Sequence, residues 1–282
     1  MERLFTLSTS DRLTAFREAE ARLKLPAASI EKDFWVCWTL RVLFELPEWS
    51  SHLTFKGGTS LSKAWQLIER FSEDIDLVID RDYLGFGGDH APEKGPSKKQ
   101  KKKRFDDLKH ACQMAISESL QPALQNRFAE AIPADMQWRL LSDSDDNDAQ
   151  TILFFYPTAT ETDPYIKPQV KIELGARSDT EPVESPEISP YLANAFPELF
   201  GPSRFQVRTV AARRTFWEKA MLLHEETYRP ADKTRGQRLS RHYYDLWCLI
   251  RKGIADKAVA DGNRLAPPGC WVPRSPGGSR RP

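Results

Sequence analysis

Lys56-Gly57-Gly58-Thr59-Ser60-Leu61-Ser62-Lys63, and shortly after it Phe71-Ser72-Glu73-Asp74-Ile75-Asp76-Leu77-Val78-Ile79, form the stretch on which the fold turns. The apolar spacing predicts a strand over His52–Phe55, a helix over about Leu61–Arg70 and a second strand over Ile75–Ile79. Residues two apart on a strand share a face. Asp74 and Asp76 therefore project together while Ile75 and Leu77 enter the core.

Two carboxylates side by side repel each other unless a cation lies between them. Mg²⁺ or Mn²⁺ prefers such hard oxygen ligands, commonly a few carboxylates together with substrate phosphates. In two-metal phosphoryl or nucleotidyl transfer, one ion activates the attacking hydroxyl and the other clamps the triphosphate. Glu173 is the candidate third acid, because it alternates with Val170, Ile172 and Leu174 on a predicted strand, Gln169–Leu174.

Upstream, Gly57 and Gly58 stand between strand and helix, where glycine lets backbone N–H groups approach a phosphate. Thr59, Ser60 and Ser62 add hydroxyls, and Lys56 and Lys63 add charge. The GxxxxGK[ST] pattern of a P-loop is absent. Taken singly, each feature has an ordinary explanation: an exposed strand end, or a tight connection. The order of cradle, helix and carboxylate pair is what is specific. Arg70 and Ser72 flank the acidic strand and are placed either to reach a nucleotide or to cap an element.

Working outward, two helices precede this unit. The first has Asp11 as its candidate cap and runs to Pro26; the second spans Ser29 or Ile30 to Leu46 and ends at Pro47. Downstream, the glycines and cations between Leu84 and Arg104, including Lys98-Lys99-Gln100-Lys101-Lys102-Lys103-Arg104, read as a flexible loop entering a helix at Phe105–Ser119. That run is a candidate track for RNA phosphates or simply a solvated surface. Strands are predicted at Met136–Leu141 and Thr151–Tyr156, a proline-rich transition at Pro182–Pro202, and helices at Thr215–Thr227 and Ser240–Ile250.

The domain reading is a core over 1–205, a helical lobe over 206–262 and an atypical tail over 263–282. The tail, rich in Pro, Gly, Arg and Ser, is expected to be disordered, the foreign end of a longer helical domain.

With 41 Lys+Arg against 40 Asp+Glu, net charge alone indicates no polyanionic partner. Cys37, Cys112, Cys248 and Cys270 form no close pair, which argues against a zinc site or a disulfide framework. The five histidines show no metal-binding spacing, and Trp35, Trp38, Trp65 and Trp217 fall at helical core positions. The start, MERLFTLSTSDRL, has no apolar leader, and no apolar run is long enough to span a bilayer, so a soluble cytoplasmic protein is expected.

The segment KGGTSLSKAWQLIERFSEDIDLVID resembles the signature of the AbiEii/MenT-type nucleotidyltransferase toxins, members of the DNA polymerase β-like superfamily. The resemblance extends from Ser29–Phe34 to Arg241-His242-Tyr243-Tyr244-Asp245-Leu246. It implies an α/β fold with a small mixed sheet and a C-terminal helical lobe. It also implies metal-binding roles for Asp74, Asp76 and, as a third acid, Glu173, and a triphosphate held by Gly57, Gly58, Thr59 and Ser60. Lys219 and Asp245 match the family's lysine and its RxxYDL-like aspartate. By themselves they read as a helical lysine paired with Glu218 or Glu225 and an aspartate bridged to Arg241, and only the resemblance turns them toward function. The resemblance further implies transfer of NMP from an NTP, an RNA acceptor such as the 3′ end of tRNA, and a toxin with a cognate antitoxin in phage defence. A protein acceptor, or an inactive nucleotide- or RNA-binding module, remains the alternative.

Overall fold

The computed structural model describes residues 1–161, 165–200, 203–230, 232 and 239–261; the predicted tail lies outside them. The chain begins with α1 (Thr9–Leu23) and α2 (Ala27–Glu45). The cap of α1 is Ser8, whose hydroxyl accepts the Asp11 N–H at 3.1 Å, and Asp11 sits in the first turn instead. Burial on nearly every side of α2, from Ser29 to Leu40, makes it the spine of the core. Trp35 and Trp38 are fully buried there among Phe5, Phe128 and Phe154, as the helical spacing predicts.

Next come β1 (Leu53–Lys56), α3 (Gly57–Lys63) and β2 (Ile75–Ile79). Here the structure corrects the predicted helix over Leu61–Arg70. The helix starts at the glycines themselves and stops after two turns; Gln66 then takes a positive φ of 52°. The reason is tertiary: Leu61 and Ile68 pack with Ala212, Cys248 and Leu249 of the C-terminal helices, which a continuous helix would not permit.

A second correction concerns the basic run. Lys98–Arg104 is not loop but the first two turns of α4 (Lys98–Ala115), capped by Ser97, whose hydroxyl accepts the Gln100 N–H at 3.2 Å. Lysine is a good helix former, and the cap outweighs the flanking glycines. A π-helical turn, Ile116–Leu120, joins α4 to α5 (Gln121–Ala131).

The sheet is completed by β3 (Arg139–Ser142), β4 (Thr151–Phe155) and β5 (Gln169–Gly175). The proline-rich segment then supplies short pieces the sequence reading did not resolve: β6 (Val183–Glu184), β7 (Glu187–Ile188), α6 (Tyr191–Ala195) and α7 (Pro197–Phe200). After them follow β8 (Phe205–Gln206), β9 (Thr209–Val210), α8 (Ala212–Thr227), α9 (Leu239–Arg251) and α10 (Ile254–Ala260).

Among the described residues, the main sheet has seven strands in the order β3-β4-β5-β2-β1-β9-β6, with β2–β5 and β1–β9 parallel and the rest antiparallel. The architecture is thus a mixed α/β fold, and its acidic strand, β2, lies in the middle of the sheet. Helices α8, α9 and α10 pack together, with α8 and α9 against α3 and the segment that follows it. No helix among the described residues is long and apolar enough to cross a membrane.

Candidate active site

Register brings the acids together. Across neighbouring strands, Lys56 stands opposite Asp76, Asp76 beside Glu173, and Glu173 opposite Thr151, so one row crosses β1, β2, β5 and β4 on a single face. Burial pushes the Asp76 carboxyl up to about 7, reinforced by the charge of Glu173, by a hydrogen bond with it and by Asp74, against the opposing pull of Lys56. Asp74, just ahead of β2, is likewise raised, first by burial and then by Glu73 and Glu173, while Lys32 and Lys171 oppose. The other charges are already engaged: Glu173 meets Lys171 at 2.5 Å, and Glu73 meets Lys32 at 2.7 Å. The Lys56 ammonium donates to Ser178 at 3.0 Å and lies 3.8 Å from Glu218.

The first turn of α3 presses onto this row. Gly57 has φ +78°, and a Cβ there would fall 1.9 Å from the Asp76 Oδ2. A Cβ on Gly58 would meet the Arg70 Nη2 at 2.7 Å and the Ser72 Oγ at 2.9 Å. Both glycines are therefore required by close approach, and the backbone lies directly over the acid that the sequence pairs with it.

Three residues expected at the nucleotide are placed otherwise. The Ser60 hydroxyl donates to the Gly57 carbonyl at 2.8 Å, and Thr59 donates to Ser72 at 2.9 Å; both residues are fully buried. Their local bonds hold the turn's shape. Lys63 is buried against Asp33 at 2.7 Å, with its ammonium 3.7 Å from the Tyr191 ring centroid. It belongs to the scaffold.

Lys219 and Asp245, 26 residues apart on α8 and α9, meet at 2.8 Å. Fully buried, Asp245 also accepts two 2.7 Å bonds from the Arg70 guanidinium, a bidentate pair. Burial works to raise the Asp245 carboxyl, but the Arg70 hydrogen bonds and Lys219 outweigh it and hold it below the ordinary carboxylate range. Asp245 thus pairs with Arg70 and Lys219, not Arg241. Lys219 pairs with Asp245, while Glu218 faces Lys56 and Arg214.

These parts border a cleft of about 1030 Å³ lined by Lys56, Gly57, Gly58, Asp76 and Lys219, with Arg81, Arg177, Arg208 and Arg214 also contributing. Asp74, Glu173, Arg70 and Ser72 are not part of this lining; Arg70 and Ser72 lie against Gly58. The sequence reading passed over His242, which lines the cleft with a buried Nδ1 that has no hydrogen-bond partner among the described residues. Burial, then Lys219, lowers its pKa. The available signal was its position three residues before Asp245, one helical turn away.

Among the described residues, no three acidic, His or Cys side chains converge as a ready-made metal cluster. The donor set nonetheless fits a divalent cation. It offers hard carboxylate oxygens whose negative charge is under-compensated, which adds to burial in raising Asp76 and Asp74.

The site thus joins a mixed sheet with acids on central strands, a Gly-Gly helix start and a lysine from the C-terminal helices. A family model described as the nucleotidyl transferase AbiEii toxin of type IV toxin–antitoxin systems matches residues 40–265, about four-fifths of the sequence. The chain belongs to that family. It is also similar in structure to MenT4, a nucleotidyltransferase toxin from Mycobacterium tuberculosis H37Rv, at 18% identity and a TM-score of 0.39, over 94% of this chain and 76% of that one. No curated protein matches it.

Proposed function

We propose that this chain transfers a nucleoside monophosphate from an NTP to a hydroxyl of RNA, such as the 3′ end of a tRNA. The acceptor oxygen forms a bond to the α-phosphorus, the bond from that phosphorus to the bridging oxygen breaks, pyrophosphate leaves, and the hydroxyl proton is lost to water. The observation that carries this reading is the Asp76 carboxyl, which lines the cleft against Gly57, is set beside Glu173 by strand register, and is raised by burial and by Glu173 and Asp74. Asp74, Asp76 and Glu173 would hold Mg²⁺ or Mn²⁺. That ion, when bound, supplies Lewis-acid stabilisation of the phosphate charge.

The chain's own residues do the rest. Gly57 and Gly58 admit the triphosphate to backbone N–H groups, and Lys56 adds positive charge at its side. Lys219 neutralises charge that grows in the transition state. Asp245 and Arg70 fix the direction of the lysine, and Ser72 holds the Gly58 turn through Thr59. The core over 1–205 supplies the acids and the lobe over 206–262 the lysine.

As a family member the chain would act as a cytoplasmic toxin restrained by a cognate antitoxin, in defence against phage. The test is incubation with each of four labelled NTPs and either total RNA or cell protein, with Asp76→Ala as control. Label in RNA with one NTP supports the reading. Label confined to protein would move the acceptor to a side-chain hydroxyl, and growth inhibition unaffected by Asp76→Ala would make the chain a binding module.

A further inference from the structure

The basic start of α4 is left unused by the site described above. Six of the seven residues from Lys98 to Arg104 are cations, and the first turn contains no acid. Lys98 and Lys102, and Lys99 and Lys103, stack at i,i+4 as like-charge pairs at the positive end of a helix dipole, both arrangements that disfavour a helix. All five lysines are exposed, and none has an ion-pair partner among the described residues. Further along the same helix, Lys109 is paired with Asp148 at 2.5 Å, so acids were available where a neutral face is built.

This cationic turn is fastened to the wall of the cleft. Arg104 donates to the carbonyls of Asp89 and Ala91 at 2.8 and 3.1 Å. Phe105 lies beneath the Arg177 guanidinium, 5.2 Å from ring centroid to carbon, and Arg177 lines the cleft. Between α4 and residues 85–96 runs an open groove of about 370 Å³ with Lys103, Arg104 and Asp107 on one side and, on the other, the exposed His90 and Phe86, the latter partly buried against the core. Cations that follow a backbone, beside rings on which bases stack, are the chemistry of single-stranded nucleic acid binding. An anionic membrane is a poorer match, because Met114 is the one strongly exposed large apolar side chain of α4.

We propose that the Lys98–Arg104 turn and its groove carry the RNA acceptor and lead its strand past Arg177 to the cleft. The proposal rests on the nucleotidyl-transfer reading for its direction but not for its binding. Its test replaces Lys98, Lys99, Lys101, Lys102 and Lys103 by Gln in the full chain and follows anisotropy of a fluorescein-labelled single-stranded RNA between about 50 and 200 mM salt. Affinity should fall about 10- to 100-fold at fixed salt. The slope of log K against log salt should become shallower by about 2–3.5, at about 0.7 for each phosphate that is no longer neutralised. NTP binding should not change, the five-Arg variant should restore RNA affinity, and Lys109→Gln should leave it intact.

Absence of RNA binding by the unaltered chain, or an unchanged slope in the Gln variant, overturns the proposal. So does lysine-dependent binding to phosphatidylglycerol vesicles without RNA binding. If RNA binds through these lysines yet no NTP labels any acceptor, the surface stands and the transfer reading falls.

Discussion

The two ends of α3 each meet a carboxylate, Asp33 fully buried and Asp76 partly buried at the cleft, and they treat it in opposite ways. At the C-terminal end, Asp33 receives the Lys63 ammonium at 2.7 Å and the Tyr191 N–H at 2.7 Å. Burial pushes Asp33 up against the pull of Lys63. Lys63, despite its burial, is held above its ordinary range because Asp33 faces it; the close contact and the Tyr191 ring mark a charged pair. At the N-terminal end, Asp76 has Glu173 and Asp74 for neighbours, and the nearest register cation, Lys56, is shared with Ser178 and Glu218. A sequestered acid whose counter-charge is built in is scaffold. In the nucleotidyl-transfer reading, one whose counter-charge comes from outside is a site.

The largest effect expected from this contrast is on catalysis. Asp76→Asn should lower nucleotide transfer by about 10³-fold or more, equivalent to about 4 kcal/mol of transition-state stabilisation. The folded protein should be at least as stable as before near neutral pH, because a repelling charge has been removed. Single-turnover labelling and thermal melts on the same preparation check both halves; a destabilised Asp76→Asn protein would place Asp76 in the scaffold with Asp33.

The mirror experiment acts on stability. Lys63→Met leaves Asp33 buried without its cation and should cost about 3–5 kcal/mol in urea unfolding, while transfer per folded molecule stays near normal. Adding Asp33→Leu to it should recover much of that loss, since an apolar pair of similar volume can replace a buried ion pair. Loss of transfer by well-folded Lys63→Met protein would return Lys63 to the nucleotide site.

Lys63 also shows where sequence reading ends. Its place beside Gly57 and Gly58 is legible, but its direction is not: by the end of α3, the helix has turned its side chain toward α2. Asp76 and the strand Ile75–Ile79 were readable because period-two alternation is local, and Glu173 followed from the same alternation on β5, whereas Asp74 falls just ahead of the strand, where that alternation does not reach. The parallel pairing that sets Glu173 beside Asp76 is a long-range contact with no local mark. The Asp245 pairing needed the family resemblance to single out the residue, and only tertiary structure replaces Arg241 by Arg70 as its partner. The overlong helix through Arg70 failed because packing of Ile68 under α9 overrides local periodicity.

The Arg70–Asp245–Lys219 cluster lies between the two extremes, since its charges are paired yet its lysine faces the cleft. Lys219→Gln should reduce transfer about 10- to 100-fold through kcat, a smaller loss than at Asp76 because one electrostatic interaction is removed and the acids remain. Asp245→Asn should lower transfer less than Lys219→Gln does and destabilise the fold more, because it frees Arg70 and Lys219 together. Steady-state kcat and KM beside urea midpoints separate the two roles.

The smallest effect is a pH dependence of stability in the metal-free protein. Asp76 has a folded pKa of about 7, above the 3.8 of an ordinary aspartate, so the folded state binds its proton more tightly. Ionising it therefore disfavours folding: the cost is absent below about pH 4, grows as pH rises, and is complete above about pH 7. Asp76→Asn has no such cost. The gap in melting temperature between Asp76→Asn and the unaltered chain should be near zero at about pH 4 and open to about 2–4 °C at about pH 8, as expected if about 1 kcal/mol survives solvent screening. Millimolar Mg²⁺ should close the gap at the higher pH by stabilising only the chain that retains the carboxylate. A gap that opens toward low pH instead would mean that neighbours stabilise the charged form of Asp76, as Arg70 and Lys219 stabilise that of Asp245, and no counter-charge from outside would be called for.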